Sequence, residues 1–140
     1  MTLKNTDLFK ISVVNTQRID DTADKICEEG TGSFYIKGDK MYIIYKTEEE
    51  GITTSSIVTV EKNRVTVKRN GAVSSKMVLD RGKKTEFKYN TMYGMIDVIT
   101  DTSKIVNALT EQGGKLRMVY DLIMQGAKLC NDTTITVDKM

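Results

Sequence analysis

Residues 84–91 read KTEFKYNT, and every second side chain in this stretch is charged or an amide. Successive residues of a strand point to opposite faces, so Phe87 and Tyr89 share one face while Glu86 and Lys88 share the other. A period of two with one apolar face is typical of a half-buried β-strand. The alternation therefore predicts a strand at 84–91 with Phe87 and Tyr89 on its inward face.

The same alternation runs through most of the 140 residues. KLRMVYDLIM at 115–124 places Leu116, Met118 and Tyr120 on one face. Turn-forming pairs separate the apolar runs, and Asn70-Gly71 in particular predicts a tight type I′ hairpin. Ten strands are predicted, at 7–20, 24–37, 40–47, 52–61, 64–69, 73–80, 84–91, 94–103, 115–125 and 129–138.

The short links between the predicted strands favour an all-β, antiparallel up-and-down meander of about eight to ten strands. Helices do not recur between strands, which excludes parallel βαβ units. Closing the meander into a barrel hides its apolar face and removes its edges. We expect one barrel domain over residues 1–140; the alternative, a two-sheet sandwich, requires longer Greek-key links. Residues 101–112 (DTSKIVNALTEQ) fit either a helical turn or a strand continued across a bulge.

Several classes of function lack their characteristic residues. The chain has no histidine, so no imidazole can act as a general base or metal ligand. It has neither a Cys-x-x-Cys pair nor a glycine-rich phosphate loop, and we expect no cofactor, no metal and no catalytic residue. With 21 Lys and Arg against 19 Asp and Glu, and with RGKK at 81–84 in a turn, no nucleic-acid partner is expected. MTLKNTDLFKISVV at 1–14 lacks an apolar signal region, so the expectation is a cytoplasmic protein without a membrane partner.

Two charged residues fall in the inward phase of their strands. Arg69 continues the alternation of Val65 and Val67, and Glu28 shares its phase with Ile26. A buried charge is costly unless it is paired and hydrogen-bonded. Candidate partners on other inward faces are Asn15, Gln17, Tyr89, Thr91, Thr100, Thr102 and Tyr120.

Short motifs follow one another along the chain in a recognisable order. They are GSFY at 32–35, KMYIIY at 40–45, RNGA at 69–72, YNTMYG at 89–94, TDT at 100–102, Gly114 and YDL at 120–122. In this order and spacing the chain resembles the YwiB-like family of small bacterial proteins, a domain-of-unknown-function family. The resemblance covers almost the whole chain and implies a calycin-like (lipocalin-like) β-barrel. It implies no activity, substrate or catalytic residue.

Two functional hypotheses follow from the inward polar residues. In the first, a non-catalytic barrel binds a small, partly apolar ligand in its lumen, with Arg69 holding a carboxylate or phosphate. The predicted ligand-binding residues are Glu28, Arg69, Tyr89, Thr91, Thr100 and Tyr120. In the second, the interior is filled, Arg69 belongs to a satisfied polar network or closes one barrel end, and the protein acts through an outer face. Val14, Val119 and Ile123 would then form a dimer or partner surface.

The two cysteines, Cys27 and Cys130, fall in the outward phase. In a closed meander the first strand lies between the strands that carry them. Two strand spacings of about 4.8 Å separate their Cα atoms by roughly 9.6 Å or more, whereas an unstrained disulfide needs less than about 7 Å. Both thiols are therefore expected to be free.

Overall fold

The described part of the chain folds into ten antiparallel strands of one sheet. A computed structural model describes residues 8–72, 74–91 and 93–140, with Thr91 described by its backbone only. The strands are β1 Phe9–Ile19, β2 Thr22–Lys37, β3 Lys40–Glu49, β4 Ile52–Val60, β5 Arg64–Asn70, β6 Ser75–Asp80, β7 Lys84–Thr91, β8 Gly94–Thr110, β9 Gly113–Met124 and β10 Ala127–Lys139. This part of the chain contains no helix long and apolar enough to cross a membrane.

The sheet curls into a nearly closed barrel whose first and last strands are paired. Its strand order is β6-β5-β4-β3-β2-β1-β10-β9-β8-β7. Neighbours in sequence are neighbours in the sheet, and β1 joins β10 with Ile11 opposite Val137. The predicted up-and-down meander is confirmed, and the two-sheet sandwich is wrong.

Residues 101–112 continue a strand rather than forming a helical turn. β8 runs to Thr110, and its register with β9 shifts between Thr102 and Lys104. This β-bulge adds one residue, so Ile105 and Leu109 return to the inward phase although they follow Thr102 by odd numbers of positions. Of the two alternatives that the sequence left open, the bulged strand is therefore confirmed.

One end of the barrel is filled by apolar side chains, and we call it the packed end. Phe9 and Phe34 meet there edge to face with ring centroids 5.7 Å apart, a geometry that contributes about 1 kcal/mol beyond the buried area. The other buried apolar residues of this end are Ile11, Ile43, Val60, Val65, Leu79, Leu109, Leu116 and Val137. The opposite end, which we call the mouth, includes the turns at 20–21, 50–51 and 125–126.

Glycine allows β2 to approach β3 unusually closely near the packed end. A Cβ atom placed on Gly32 would overlap the carbonyl oxygen of Ile44 on the paired strand. Because a backbone carbonyl cannot swing aside as a side chain can, a larger residue at position 32 would push the two strands apart.

The predicted tight hairpin at Asn70-Gly71 is wrong. β5 ends at Asn70 and β6 begins at Ser75, with Arg69 opposite Ser75, so the link is longer than a two-residue turn. Gly71 does not have the positive φ that a type I′ turn requires. It lies instead against Thr54, where an added Cβ would come within 2.7 Å of the hydroxyl oxygen.

β6 and β7 lie side by side without a ladder between their described residues, and we call this boundary the seam. The turn between them places the Lys83 N–H on the carbonyl oxygen of Asp80, at 2.9 Å. Continued along both strands, that register would set outward Val78 opposite inward Thr85, so the two pleats are out of phase. The Thr85 hydroxyl bridges the seam by donating to the Val78 carbonyl. The mismatch explains why the barrel is not fully hydrogen-bonded around its circumference.

Candidate functional site

An open cavity of about 630 Å³ occupies the mouth half of the lumen. This volume lies within the roughly 300–1,000 Å³ that is usual for small-ligand sites. The floor of the cavity is apolar and consists of Val58, Val67, Met77, Leu79, Phe87, Val98, Met118 and Ile135. Polar groups line it higher up: Asn15, Gln17, Glu28, Tyr45, Arg69, Tyr89, Tyr120 and Thr133. Ile26, which also lines the cavity, is 48% exposed, so the cavity opens to solvent at the mouth.

Arg69 and Glu28 form an ion pair inside the lumen. Arg69 Nη2 donates to Glu28 Oε2 at 2.7 Å, and the two side chains are 36% and 27% exposed. Both line the cavity, as their phase in the sequence predicts. Burial disfavours the charged guanidinium, but the hydrogen bond and the negative charge of Glu28 outweigh it and keep the pKa of Arg69 above its ordinary value. The guanidinium of Arg69 therefore keeps its positive charge within the lumen.

Three tyrosines from different walls surround this guanidinium. Tyr45, Tyr89 and Tyr120 lie on β3, β7 and β9, and all three line the same cavity as Arg69. Burial raises the pKa of Tyr45 and so does Glu28, while Arg69 lowers it. Burial likewise raises the pKa of Tyr120. The hydroxyls of Tyr45 and Tyr120 are thus neutral hydrogen-bonding groups near pH 7, not phenolate bases.

A chain of hydrogen bonds connects Tyr120 to the mouth. Thr133 Oγ1 donates to Asn15 Oδ1 at 2.9 Å, so its single proton is used and Tyr120 is the donor in the 3.2 Å contact between the two hydroxyls. Asn15 Nδ2 and Gln17 Nε2 both donate to Asn131 Oδ1, at 3.1 and 3.0 Å. This network satisfies the buried amide of Asn131 and holds the β1–β10 wall in one arrangement.

The other predicted site residues are placed differently. Thr100 and Thr102 are fully buried but do not line the cavity, and the side chain of Thr91 lies outside the described residues. Within the described part of the chain, the hydroxyls of Thr100, Thr102 and Ser56 make no hydrogen bond of standard geometry. The Ser56 hydroxyl nevertheless lies near enough to Tyr45 to lower its pKa. Thr100 and Thr102 therefore do not pair with Arg69.

Sequence reasoning did not include five polar residues that line or adjoin the cavity: Tyr45, Thr54, Ser75, Asn131 and Thr133. Each has the inward phase of its strand, Tyr45 with Ile43 and Asn131 with Thr133 and Ile135. The alternation that located Arg69 could therefore have found them. The pairing of Arg69 with Glu28 had no comparable signal, because the two residues are 41 positions apart.

The next question is whether the described residues include a metal site or a disulfide bond. No group of three or more His, Cys, Asp or Glu side chains in this set could hold a metal ion. Cys27 and Cys130 are both free and exposed, and β1 separates their strands, with Cys27 opposite Val14 and Cys130 opposite Arg18. The expected free thiols on the outer face are confirmed.

These features define a class of protein: an antiparallel β-barrel with a lumen that is apolar at its floor and carries an ion pair and hydroxyls above it. Within the 140 residues, positions 11–136 match the family model described as Domain of unknown function (DUF1934). The chain belongs to this family, and the resemblance seen in its motifs is confirmed.

One relative with a solved structure extends the comparison. The chain is 33% identical over 92 residues to the "Uncharacterized beta-barrel protein YwiB" of Bacillus subtilis (strain 168). That alignment covers 66% of this chain and 65% of the relative, so it spans just under two thirds of the relative's length. The crystal structure of the ywiB protein from Bacillus subtilis superposes with a TM-score of 0.85 at 27% identity, covering 96% of this chain and 92% of that one. The barrel is thus shared by both proteins.

Proposed function

We propose that this protein is a cytoplasmic, non-catalytic binding protein that holds a small, partly apolar ligand in its lumen, with an anionic group of the ligand on Arg69. The observation that carries the proposal is the open cavity of about 630 Å³ in which one guanidinium stands above an apolar floor. Ligand sites commonly combine apolar walls with a few convergent polar groups. An amphiphilic ligand would match both parts of this lining.

The two ends of such a ligand would be bound by different forces. The floor, which includes Val58, Val98 and Met118, excludes water and favours hydrocarbon by about 25 cal/mol for each Å² of apolar surface buried. Arg69 presents a planar set of N–H donors suited to a carboxylate or phosphate. The neutral hydroxyls of Tyr45 and Tyr120 add possible hydrogen bonds beside it.

The same residues support a role in binding rather than catalysis. General base catalysis needs a group whose pKa lies near the working pH. Burial moves the pKa values of Tyr45 and Tyr120 upward, away from that range, and the chain has no histidine to take their place. Glu28 is engaged with Arg69. These groups can orient a ligand by hydrogen bonds, which is the role assigned to them here.

The alternative role, an interaction barrel acting through its outer face, receives less support. It assumed a filled interior, whereas the mouth half of the lumen is open. Val14, Val119 and Ile123 are partly buried on the outer wall, and they lie on two strands, Val14 on β1 and the other two on β9, which β10 separates. They do not form one contiguous apolar surface comparable with the lining of the cavity. A homodimer remains compatible with ligand binding.

The proposal can be tested by native mass spectrometry of the protein purified from its own host. We expect an additional mass that is lost on denaturation and whose chemical analysis shows an anionic, partly apolar compound. Arg69→Met should lose this mass. Arg64→Met is the matched control, because Arg64 lies on the same strand but pairs with Asp80 on the outer wall. Retention of the ligand by the Arg69 variant, or its loss in both variants, would contradict the assignment.

A further inference from the structure

The ion pair in the lumen spans an unusually long path around the barrel. Glu28 lies on β2 and Arg69 on β5, so β3 and β4 separate their strands. Three strand spacings correspond to about 14 Å along the wall. Along the ladders Arg69 is level with Ser56, Tyr45 and Gly32, so Glu28 lies four residues closer to the mouth than the β2 position level with Arg69. Both side chains must therefore extend into the lumen to meet. The pair thus crosses the cavity instead of lying flat against its wall.

The contact uses little of the capacity of Arg69. Among the described residues, the bond from Nη2 to Glu28 is its one side-chain hydrogen bond, although a guanidinium carries five N–H donors. On the outer wall, by contrast, Arg117 binds Asp132 through Nε at 2.9 Å and Nη2 at 2.7 Å. Two-point pairing of this second kind is the stronger arrangement for arginine and a carboxylate. The one-bond pair of Arg69 with Glu28 is therefore weaker than the two-bond pair that arginine can form with a carboxylate.

The Glu28 side chain lies close to solvent, so it can move into water if another anion takes its place on Arg69. Its side chain is 27% exposed, and it lies next to Ile26 in phase, at the open mouth. Its carboxylate, paired with Arg69, offsets the cost of a desolvated guanidinium. A ligand carboxylate would remove that need, and the carboxylate of Glu28 could return to water at the mouth.

We infer that Glu28 is an exchangeable counter-ion, and that the ligand is an amphiphile with a single carboxylate that replaces Glu28 on Arg69. This inference rests on the function proposed above and specifies the class of ligand and the event that accompanies its binding. The carboxylate binds through two N–H groups, and the apolar part of the ligand lies over the floor. Because one ion pair replaces another, the lumen never holds an uncompensated guanidinium.

The inference predicts different effects on two ligands that share a ten-carbon chain and differ in the head group, which is a carboxylate in one and an uncharged alcohol in the other. Decanoate and 1-decanol are titrated into wild-type protein and Glu28→Gln by isothermal titration calorimetry. The variant should bind decanoate at least fivefold more tightly, since no internal carboxylate competes for Arg69, and 1-decanol within twofold of wild type. The mouth carries acidic residues in the turn at Asp20 and Asp21 and at residues 48–50 (EEE), where β3 ends. The titrations are therefore made at about 0.15 M salt, where the Debye length is about 8 Å.

The chain offers a matched control and a measurement that needs no variant. Glu29 is the next residue of the same strand but pairs with Lys10 on the outer wall, so Glu29→Gln should change neither affinity. In ¹³C-labelled wild-type protein, the carboxyl resonance of Glu28 should shift on addition of decanoate and stay in place with 1-decanol. This NMR measurement uses wild-type protein, so it tests the inference even if the Glu28→Gln variant folds poorly.

The outcomes separate this inference from the proposed function. Equal or weaker binding of decanoate by Glu28→Gln, with both ligands entering the cavity, overturns the counter-ion exchange and leaves the proposed function standing. Failure of both amphiphiles to bind, while native mass spectrometry retains another ligand, overturns the ligand class alone. Failure of both amphiphiles together with the absence of any retained ligand overturns the proposed function as well.

Discussion

Replacing Arg69 by alanine should destabilise the folded barrel by about 2 kcal/mol. Hydrogen bonds to charged groups contribute about 1.5–3 kcal/mol, and an unpaired partner in a buried position adds to the loss. The pair in the lumen is about one third exposed, so solvent screening holds the value near the middle of that range. Arg64→Ala is the matched control on the same strand: its 3.0 Å pair with Asp80 lies on the outer wall, with half of the Arg64 side chain exposed. Such pairs contribute little to stability, because water and salt screen their charges.

The two variants can be compared by urea denaturation followed by far-ultraviolet circular dichroism, since the chain has no tryptophan. The midpoint should fall further for Arg69→Ala than for Arg64→Ala, with unchanged dependence on urea concentration. A double-mutant cycle with Glu28→Gln should give a coupling energy of about 1–2 kcal/mol, because the two residues are in direct contact. If Arg69→Ala loses no more stability than Arg64→Ala, the pair in the lumen makes no special contribution and this reasoning is refuted.

Four further predictions concern the fold and its surface. Gly32→Ala should lower the free energy of unfolding by about 3 kcal/mol or more, because the added Cβ would overlap the carbonyl oxygen of Ile44. The control Gly38→Ala meets no atom within 4 Å and should cost about 1 kcal/mol for its positive φ. Equal losses of stability in thermal denaturation would contradict the close approach of β2 and β3. Cys27 and Cys130 should both react with a thiol reagent without denaturant, and a titre below two per chain would show that one of them is blocked. The backbone amides of β6 and β7 that face the seam should exchange with deuterium faster than the amides hydrogen-bonded between β9 and β10, because no ladder joins β6 to β7. Equal protection of the two sets of amides would mean that the seam is closed in solution. Random single- or double-stranded nucleic acid should not bind at about 0.15 M salt, and tight, salt-dependent binding would show a basic surface that the composition does not predict.

Local alternation predicted much of this protein correctly. Each predicted strand corresponds to one of the ten observed strands, although β8 continues to Thr110 where the prediction ended at 103. Arg69, Glu28, Tyr89 and Tyr120 all line the lumen as their phases require. The outward positions of Cys27 and Cys130 follow from the same rule. Phase is a local property of a strand, because the backbone itself directs successive side chains to opposite faces. Outside the bulge in β8, a single sequence therefore determines which residues face inward.

The tertiary structure decided which of these residues meet and how much space remains between them. Arg69 contacts Glu28 across two intervening strands, and Thr100 has the inward phase without reaching the cavity. The seam results from a conflict between the turn at Asp80–Lys83 and the phase of two strands, each of which is regular by itself. Such features depend on the diameter of the barrel, the tilt of its strands and the sum of side-chain volumes at each level. These are properties of the closed sheet, and no short stretch of sequence carries them.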